Sequence, residues 1–253
     1  MTLISRLTVL AVLLAIAVPR PLAAAEPAHA PLFTRAFSPD FVATADDALP
    51  GEQPRPVKIF FRVSDLGPLK ITSGRVVVAD AFVGVDQKPM ANEIPNGDYP
   101  VRLAVLQGTM GRGRVAFARV DFSSAPAVRW EPAMPDEYRR DAENPDGQWG
   151  FPVDSGLAAF FDPVIIAAVQ DGLNASDDFF DAWLEKGQNA GAKEPGTTGA
   201  FRLVADIGPA NIVAFDAGWG DGAYAVYAGF DAQGNIAAMI ADFDILDWSK
   251  VKE

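Results

Sequence analysis

Residues 211–243 read NIVAFDAGWGDGAYAVYAGFDAQGNIAAMIADF, from Asn211 to Phe243. An apolar strand runs into a corner at 218–222 in which Gly218, Gly220 and Gly222 alternate with Trp219 and Asp221. Two further strands follow, joined by a short polar turn. Glycine spaced this way permits positive φ and close approach of another backbone, and aromatic residues at strand spacing favour sheet. In residues 223–230 the period of two puts Tyr224 and Phe230 on one face and Tyr227 on the other.

The chain on either side of this stretch extends the β reading. Residues 201–207 form a strand just upstream. Nearer the start, 57–63 (VKIFFRV) alternates with Lys58 and Arg62 on the polar face, and 74–80 (GRVVVAD) is β-branched and expected to be buried on both sides. Residues 101–107 and 113–122 read as a hairpin across a glycine-rich link, 127–131 as one more short strand, and Asn96–Gly97 as a turn tolerant of positive φ. Helical signals are confined to the middle. Residues 163–170 open on Pro163, and 176–186 open on a capping Ser176, carry Asp177 and Asp178 at the positive end and stop before Gly187. Residues 132–148 and 188–199 are expected loops. The fold class is α+β, mainly antiparallel sheet, sandwich-like or strongly twisted, with two short helices inserted near the middle.

Residues 1–25 have another origin. Arg6 precedes an unbroken apolar run, 7–18, and Leu22-Ala23-Ala24-Ala25 leads to Glu26. That is the layout of a secretory signal peptide, cleaved after Ala25 or Ala28, with an apolar run too short for a stable membrane anchor. The expected organisation is therefore signal peptide 1–25, an extended Pro-rich lead-in at 26–56 and a single α+β domain at 57–253. Phe33, Phe37 and Phe41, at four-residue spacing around Pro39, mark a short docking segment within the lead-in. The destination is the periplasm. Losing Arg6 and Arg20 with the signal moves the formal charge from −12 to −14. An acidic chain disfavours nucleic acid and anionic lipid, suits a basic protein partner, and after cleavage holds no stable membrane span.

Composition also narrows the chemistry. There is no cysteine, and the single histidine, His29, falls in the Pro/Ala-rich lead-in, where chain ends are poorly ordered. Serine–histidine and cysteine–histidine nucleophiles and zinc sites are thereby excluded, and catalysis falls to Asp, Glu, Lys, Tyr or Ser with Lys. No cofactor motif and no metal-loop spacing is found; Asp242, Asp244 and Asp247 lack the central glycine of a calcium loop.

One resemblance covers most of the chain from about residue 74. Gly218-Trp219-Gly220-Asp221-Gly222-x-Tyr224-x-x-Tyr227-x-Gly229-x-Asp231-x-x-Gly234, ending in Asp242-Phe243, resembles the bacterial domain of unknown function 4241. Pro95-Asn96-Gly97-Asp98-Tyr99-Pro100-Val101 with Arg114-Val115-Ala116, and Gly150-Phe151-Pro152-Val153-Asp154-Ser155-Gly156 with Phe160 and Asp162, agree with it in family order. This chain departs from the family in an extra proline before Val153 and a serine after Asp154. The resemblance implies a β-rich fold and no particular activity.

Two readings of the corner remain open. In one, the glycines make a strained turn, Asp221 accepts local amides and Trp219 seals the core. In the other, Trp219 stacks on a ligand, Asp221 accepts hydrogen bonds, and Tyr224 and Tyr227 complete the binding set. Asp154 and Asp221 are the candidate catalytic pair, since two converging carboxylates split into acid and base and are able to cleave glycosidic bonds. Asp154 and Asp162 equally suit turn and helix caps. The preferred function is a non-enzymatic periplasmic binding or inhibitor-like module for a protein or cell-envelope ligand. An Asp-dependent hydrolase of envelope glycan or peptide, and a structural envelope component, are the alternatives.

Overall fold

Strand β2 (Arg55–Ile71) is the longest element of the larger sheet, and it bends at a bulge between Asp65 and Gly67. The computed structural model describes residues 26–47, 53, 55–108, 111–138, 149–176, 178–191 and 201–252. Residues 1–25, where the secretion signal is expected, fall outside that set, as do 139–148 and 192–200 of the expected loops. The larger sheet follows the order β1 (Ala43–Asp47), β2, β4 (Gly97–Gln107), β5 (Val115–Asp121), β12 (Ile236–Asp242), β11 (Gly222–Phe230), β6 (Arg129–Pro132). β7 (Gly150–Val153) pairs with the same edge of β11, further along it than β6. The sheet curls into a half-barrel. A second sheet has the order β3 (Val77–Asp80), β8 (Leu157–Phe161), β10 (Ala210–Asp216), β9 (Arg202–Ile207). Every ladder in both sheets is antiparallel. The fold is α+β, as the strand pattern implies.

Both faces are covered at the centre of each sheet, which explains strands with no alternation, while β2 and β9 keep exposed positions. Residues 115–120 of β5 are all buried. Its Ala116, Ala118 and Val120 belong with Val101, Leu103, Met239 and Ala241 to the face turned toward the smaller sheet. There they meet Phe160, Val213 and Phe215 in the main core. The far side of the smaller sheet packs Phe161, Ile212 and Ala214 against α2 (Ile166–Ala175) and α3 (Phe179–Gly191). The other face of the larger sheet, carrying Phe117, Arg119, Tyr227 and Asp242, is covered by residues 26–41 and by Trp248.

That last layer corrects the expected extended lead-in. Residues 26–41 form turns and a one-turn helix, α1 (Leu32–Arg35), and β1 pairs with β2. Phe33, Phe37 and Phe41 are all buried, so the aromatic spacing marks a docking segment. The prolines rule out long helix or central strand, yet they leave short turns and burial open.

Two glycine expectations also change. Asn96–Gly97 is not a reversal: Gly97 begins β4 opposite Ile71, and a Cβ there would lie 3.0 Å from the Tyr99 ring, which folds back to donate from its hydroxyl to the Pro95 carbonyl at 2.6 Å. Gly187 does not stop α3, which continues to Gly191. A Cβ at Gly187 would lie 2.1 Å from the Phe201 ring, so this glycine is needed for helix-to-sheet contact. The expected helices are otherwise present, with Pro163 opening a 3-10 turn that leads into α2.

Candidate functional site

The corner at 218–222 forms where β10 gives way to β11. Gly218 has φ 46°, in the left-handed region, and a Cβ there would lie 2.5 Å from that of Phe243, so both conformation and space require glycine. The backbone closes on itself, Gly220 N–H donating to the Ala217 carbonyl at 2.6 Å and Ala217 N–H to the Gly156 carbonyl at 2.9 Å. Tyr224, 6% exposed, donates its hydroxyl to the Gly220 carbonyl at 2.9 Å. Burial pushes its pKa up, against the lowering effect of the Trp219 backbone contact. Tyr224 therefore braces the corner from the core side and presents nothing to a ligand.

Trp219 faces outward, 47% exposed. The Arg114 guanidinium carbon lies 4.4 Å from its ring centroid, and Arg114 Nη1 donates to the Gly218 carbonyl at 3.0 Å. Together these contacts hold an indole and a cation as one rigid surface unit. Beside it, the β7–β11 ladder ends at Gly222 opposite Val153. The next residues outward are Asp221 and Asp154, both exposed, so the ladder brings the candidate carboxylates to the same end of the sheet. Gly156 and Gly220 are also neighbours, a Cβ on the former lying 3.8 Å from the Cα of the latter.

Asp80 sets the turn that carries Asp154. At 2% exposure, its Oδ2 accepts from the Asp154 and Ser155 amides, both at 2.7 Å. Its Oδ1 accepts from Phe82 N–H at 2.8 Å, Val83 N–H at 2.9 Å and Ser155 Oγ at 2.7 Å. Burial pushes this carboxyl up, but the amides of Val83, Phe82, Asp154 and Ser155 outweigh burial and hold it below the ordinary carboxylate range. Asp162 is built the same way and serves as the cap of the turn at Pro163. It accepts from Val164 N–H at 2.9 Å, Thr72 N–H at 2.5 Å and Ser73 N–H at 2.8 Å, and those bonds hold it low against burial. Asp231 closes the β11–β12 turn on the Gln233 and Asn235 amides.

Tyr227 lies away from Trp219, on the outer face of the larger sheet. Its ring centroid is 4.8 Å from that of Phe33, and burial, then the charges of Asp242 and Asp244, push its hydroxyl up to about 12. His29 belongs to the same cluster, which corrects its placement in a disordered terminus. Nε2 lies 2.8 Å from Asp242 Oδ2, and the ring meets Phe33 edge-on at 5.2 Å. Asp242 Oδ1 accepts from Trp248 Nε1 at 3.1 Å and Asp244 N–H at 3.0 Å. Its carboxylate thus ties the N-terminal and C-terminal segments to β12. Asp247 caps the 3-10 turn at Trp248 and pairs with Lys250 at 2.8 Å. Among the described residues no group of three or more acidic or histidine side chains is placed to hold a metal ion.

An antiparallel α+β domain with a curled main sheet and a braced glycine corner is what fold and site define. The chain belongs to the DUF4241 family, proteins of unknown function, whose family model matches residues 69–241. Residues 26–68 and 242–252 lie outside the matched part, and with them His29, Phe33, Asp242 and Trp248. No curated protein and no solved structure matches the chain. Sequence reading named Trp219, Asp221 and Asp154. The contributions of Arg114, near the start of an expected strand, and of Asp80, at the end of another, are not legible there. Nothing in the spacing ties either to a corner more than 70 residues away.

Proposed function

We propose that this protein is an exported binding module that engages a basic protein partner through the Trp219–Arg114 corner. The observation that carries the reading is the half-exposed indole held by Arg114 beside two exposed carboxylates. Tryptophan and arginine are the side chains most enriched among residues that dominate binding energy. Asp154 and Asp221 add negative charge where a lysine or arginine of the partner would lie, and the formal charge of −14 left after loss of the signal favours approach of such a surface. Export is supported by the layout of residues 1–25. Cleavage after Ala25 would leave Glu26 at the new N-terminus, where its Oε1 accepts from the Trp130 amide at 2.8 Å. Among the described residues no helix is long and apolar enough to cross a membrane.

The test is affinity recovery from a periplasmic extract with wild-type protein and with Trp219→Ala and Asp221→Ala. A stoichiometric basic partner is expected, with Trp219→Ala weakening its binding about 30-fold or more, as loss of a dominant contact does. Raising salt is expected to slow association. Recovery of no such partner, or recovery by Trp219→Ala equal to that by wild type, overturns the reading.

The shared ladder end of Asp154 and Asp221 favours one second reading, an Asp-dependent hydrolase of envelope glycan or peptide. We expect purified protein to release no soluble fragments from peptidoglycan. Release abolished by both Asp154→Asn and Asp221→Asn would replace the binding module with the hydrolase.

A further inference from the structure

On the outer face of the larger sheet, beside α1, lies a cavity of about 590 Å³. Its floor holds three charged residues on neighbouring strands. Arg102 reaches Asp121 Oδ2 with Nε at 3.0 Å and Nη2 at 2.6 Å, and Arg119 Nε lies 2.9 Å from Asp121 Oδ1. Arg119 also donates from Nη1 to the Phe33 carbonyl at 2.9 Å, and Phe37 covers both guanidiniums, 4.0 Å from that of Arg119 and 5.7 Å from that of Arg102. The Arg119 Nε approach to Asp121 is a charge contact that leaves this buried N–H without a hydrogen-bond partner, and no acceptor among the described residues reaches Arg102 Nη1 or Arg119 Nη2. Two cations share one anion, leaving one formal positive charge at the floor of a cavity in a strongly acidic chain. Burial, partly offset by Asp121, lowers the Arg119 pKa, so the charge is held there at a cost that a second anion would relieve.

The walls narrow the class of anion. Tyr99, Phe122 and Trp130 contribute apolar and aromatic surface, and Ser123, whose Oγ accepts the Ala125 amide, keeps its hydroxyl proton to donate. Asp98 stands exposed at the rim and disfavours a dianion. The volume falls within the ordinary range for small-molecule sites, which combine apolar walls with few, convergent polar groups. We propose that the cavity is a binding site for a small organic monoanion, its carboxylate on the free guanidinium edges of Arg102 and Arg119 and its apolar body against Trp130 and Tyr99. A planar carboxylate suits guanidinium donors, two of which, Arg102 Nε and Nη2, already converge on a single Asp121 oxygen. The site lies apart from the Trp219 corner and does not depend on the role given to it.

The test uses the full folded chain at fixed ionic strength, with benzoate, acetate and inorganic phosphate titrated separately by calorimetry and thermal midpoint. Benzoate is expected to bind saturably and raise the midpoint, acetate to bind more weakly, and phosphate to have no saturable effect. Arg102→Gln, at a partly exposed position, is expected to weaken benzoate about tenfold, the order of one charge-assisted hydrogen bond. Ala125→Trp, filling the rim without touching the charges, is expected to abolish binding, and keeps the test valid should the arginine variant fold poorly. No saturable benzoate binding, tighter phosphate than benzoate, or binding unchanged in Ala125→Trp overturns the proposal.

Discussion

Replacing Phe33 with Ala will lower the free energy of unfolding by about 3–5 kcal/mol, the usual cost of emptying a buried phenylalanine site. The ring is fully buried, with centroids 4.8 Å from Tyr227, 5.2 Å from Trp130 and 5.6 Å from Phe117. It plugs the outer face of the larger sheet, and its carbonyl accepts from Arg119. The surrounding rings belong to strands fixed by their own ladders, so they cannot collapse onto the vacancy. The measurement is the urea midpoint, followed by tryptophan fluorescence, with Phe60→Ala as control. Phe60 is 46% exposed, and its loss should change stability by no more than about 0.5 kcal/mol. A Phe33→Ala effect below about 1 kcal/mol would show that residues 26–41 lie on the sheet without supporting it.

Asp80→Ala will cost about 3 kcal/mol or more, because it removes a buried carboxylate that accepts from several part-buried donors at once. Five hydrogen bonds end on this carboxylate, from Phe82, Val83, Asp154 and both the amide and hydroxyl of Ser155. Asp80→Asn keeps one acceptor oxygen and should cost less. The pH dependence separates charge from shape. Asp80 and Asp162 are held below the ordinary carboxylate value in the folded state, so their stabilisation is fully present above the unfolded value near pH 4. It is lost as pH falls through their lower folded values. Asp216 and Asp244, raised by burial, act with opposite slope above pH 4. The variant Asp80→Asn should therefore unfold with a shallower acid limb below about pH 4 and an unaltered dependence above it. An acid limb identical to wild type would mean that Asp80 is not charged in the native state. The same substitution loosens the 154–156 turn, so the partner binding proposed for Trp219 should weaken as well, though less than in Trp219→Ala.

Much of the β architecture was readable along the chain, because the physical cause is local. Residues 211–243 show three strands separated by a glycine corner and a glycine-containing turn, and the structure has β10, β11 and β12 there. Asp162 before Pro163 reads as a cap and is one. Local chemistry misled where a long-range contact took over. Gly187 resembles a helix stop, but Phe201 needs the space beside it. The strand period already sets Tyr224 and Tyr227 on opposite faces, and β11 sends Tyr224 into the core and Tyr227 under Phe33. Nothing near His29 in sequence fixes it, and its partner, Asp242, is 213 residues away.

By itself the sequence determined the strand-rich class, the family, the glycine corner and the acidic surface, since propensity, turn chemistry and charge are properties of neighbouring residues. Only the tertiary structure decided which side chains share a place. The ladder between β7 and β11 sets Asp154 beside Asp221, and Asp80 on β3 locks that turn. The sheet order β4-β5 aligns Arg102 with Arg119 across a ladder and leaves Asp121 to serve both. Antiparallel register and sheet stacking fix such meetings, and neither is written in the spacing of residues along one strand.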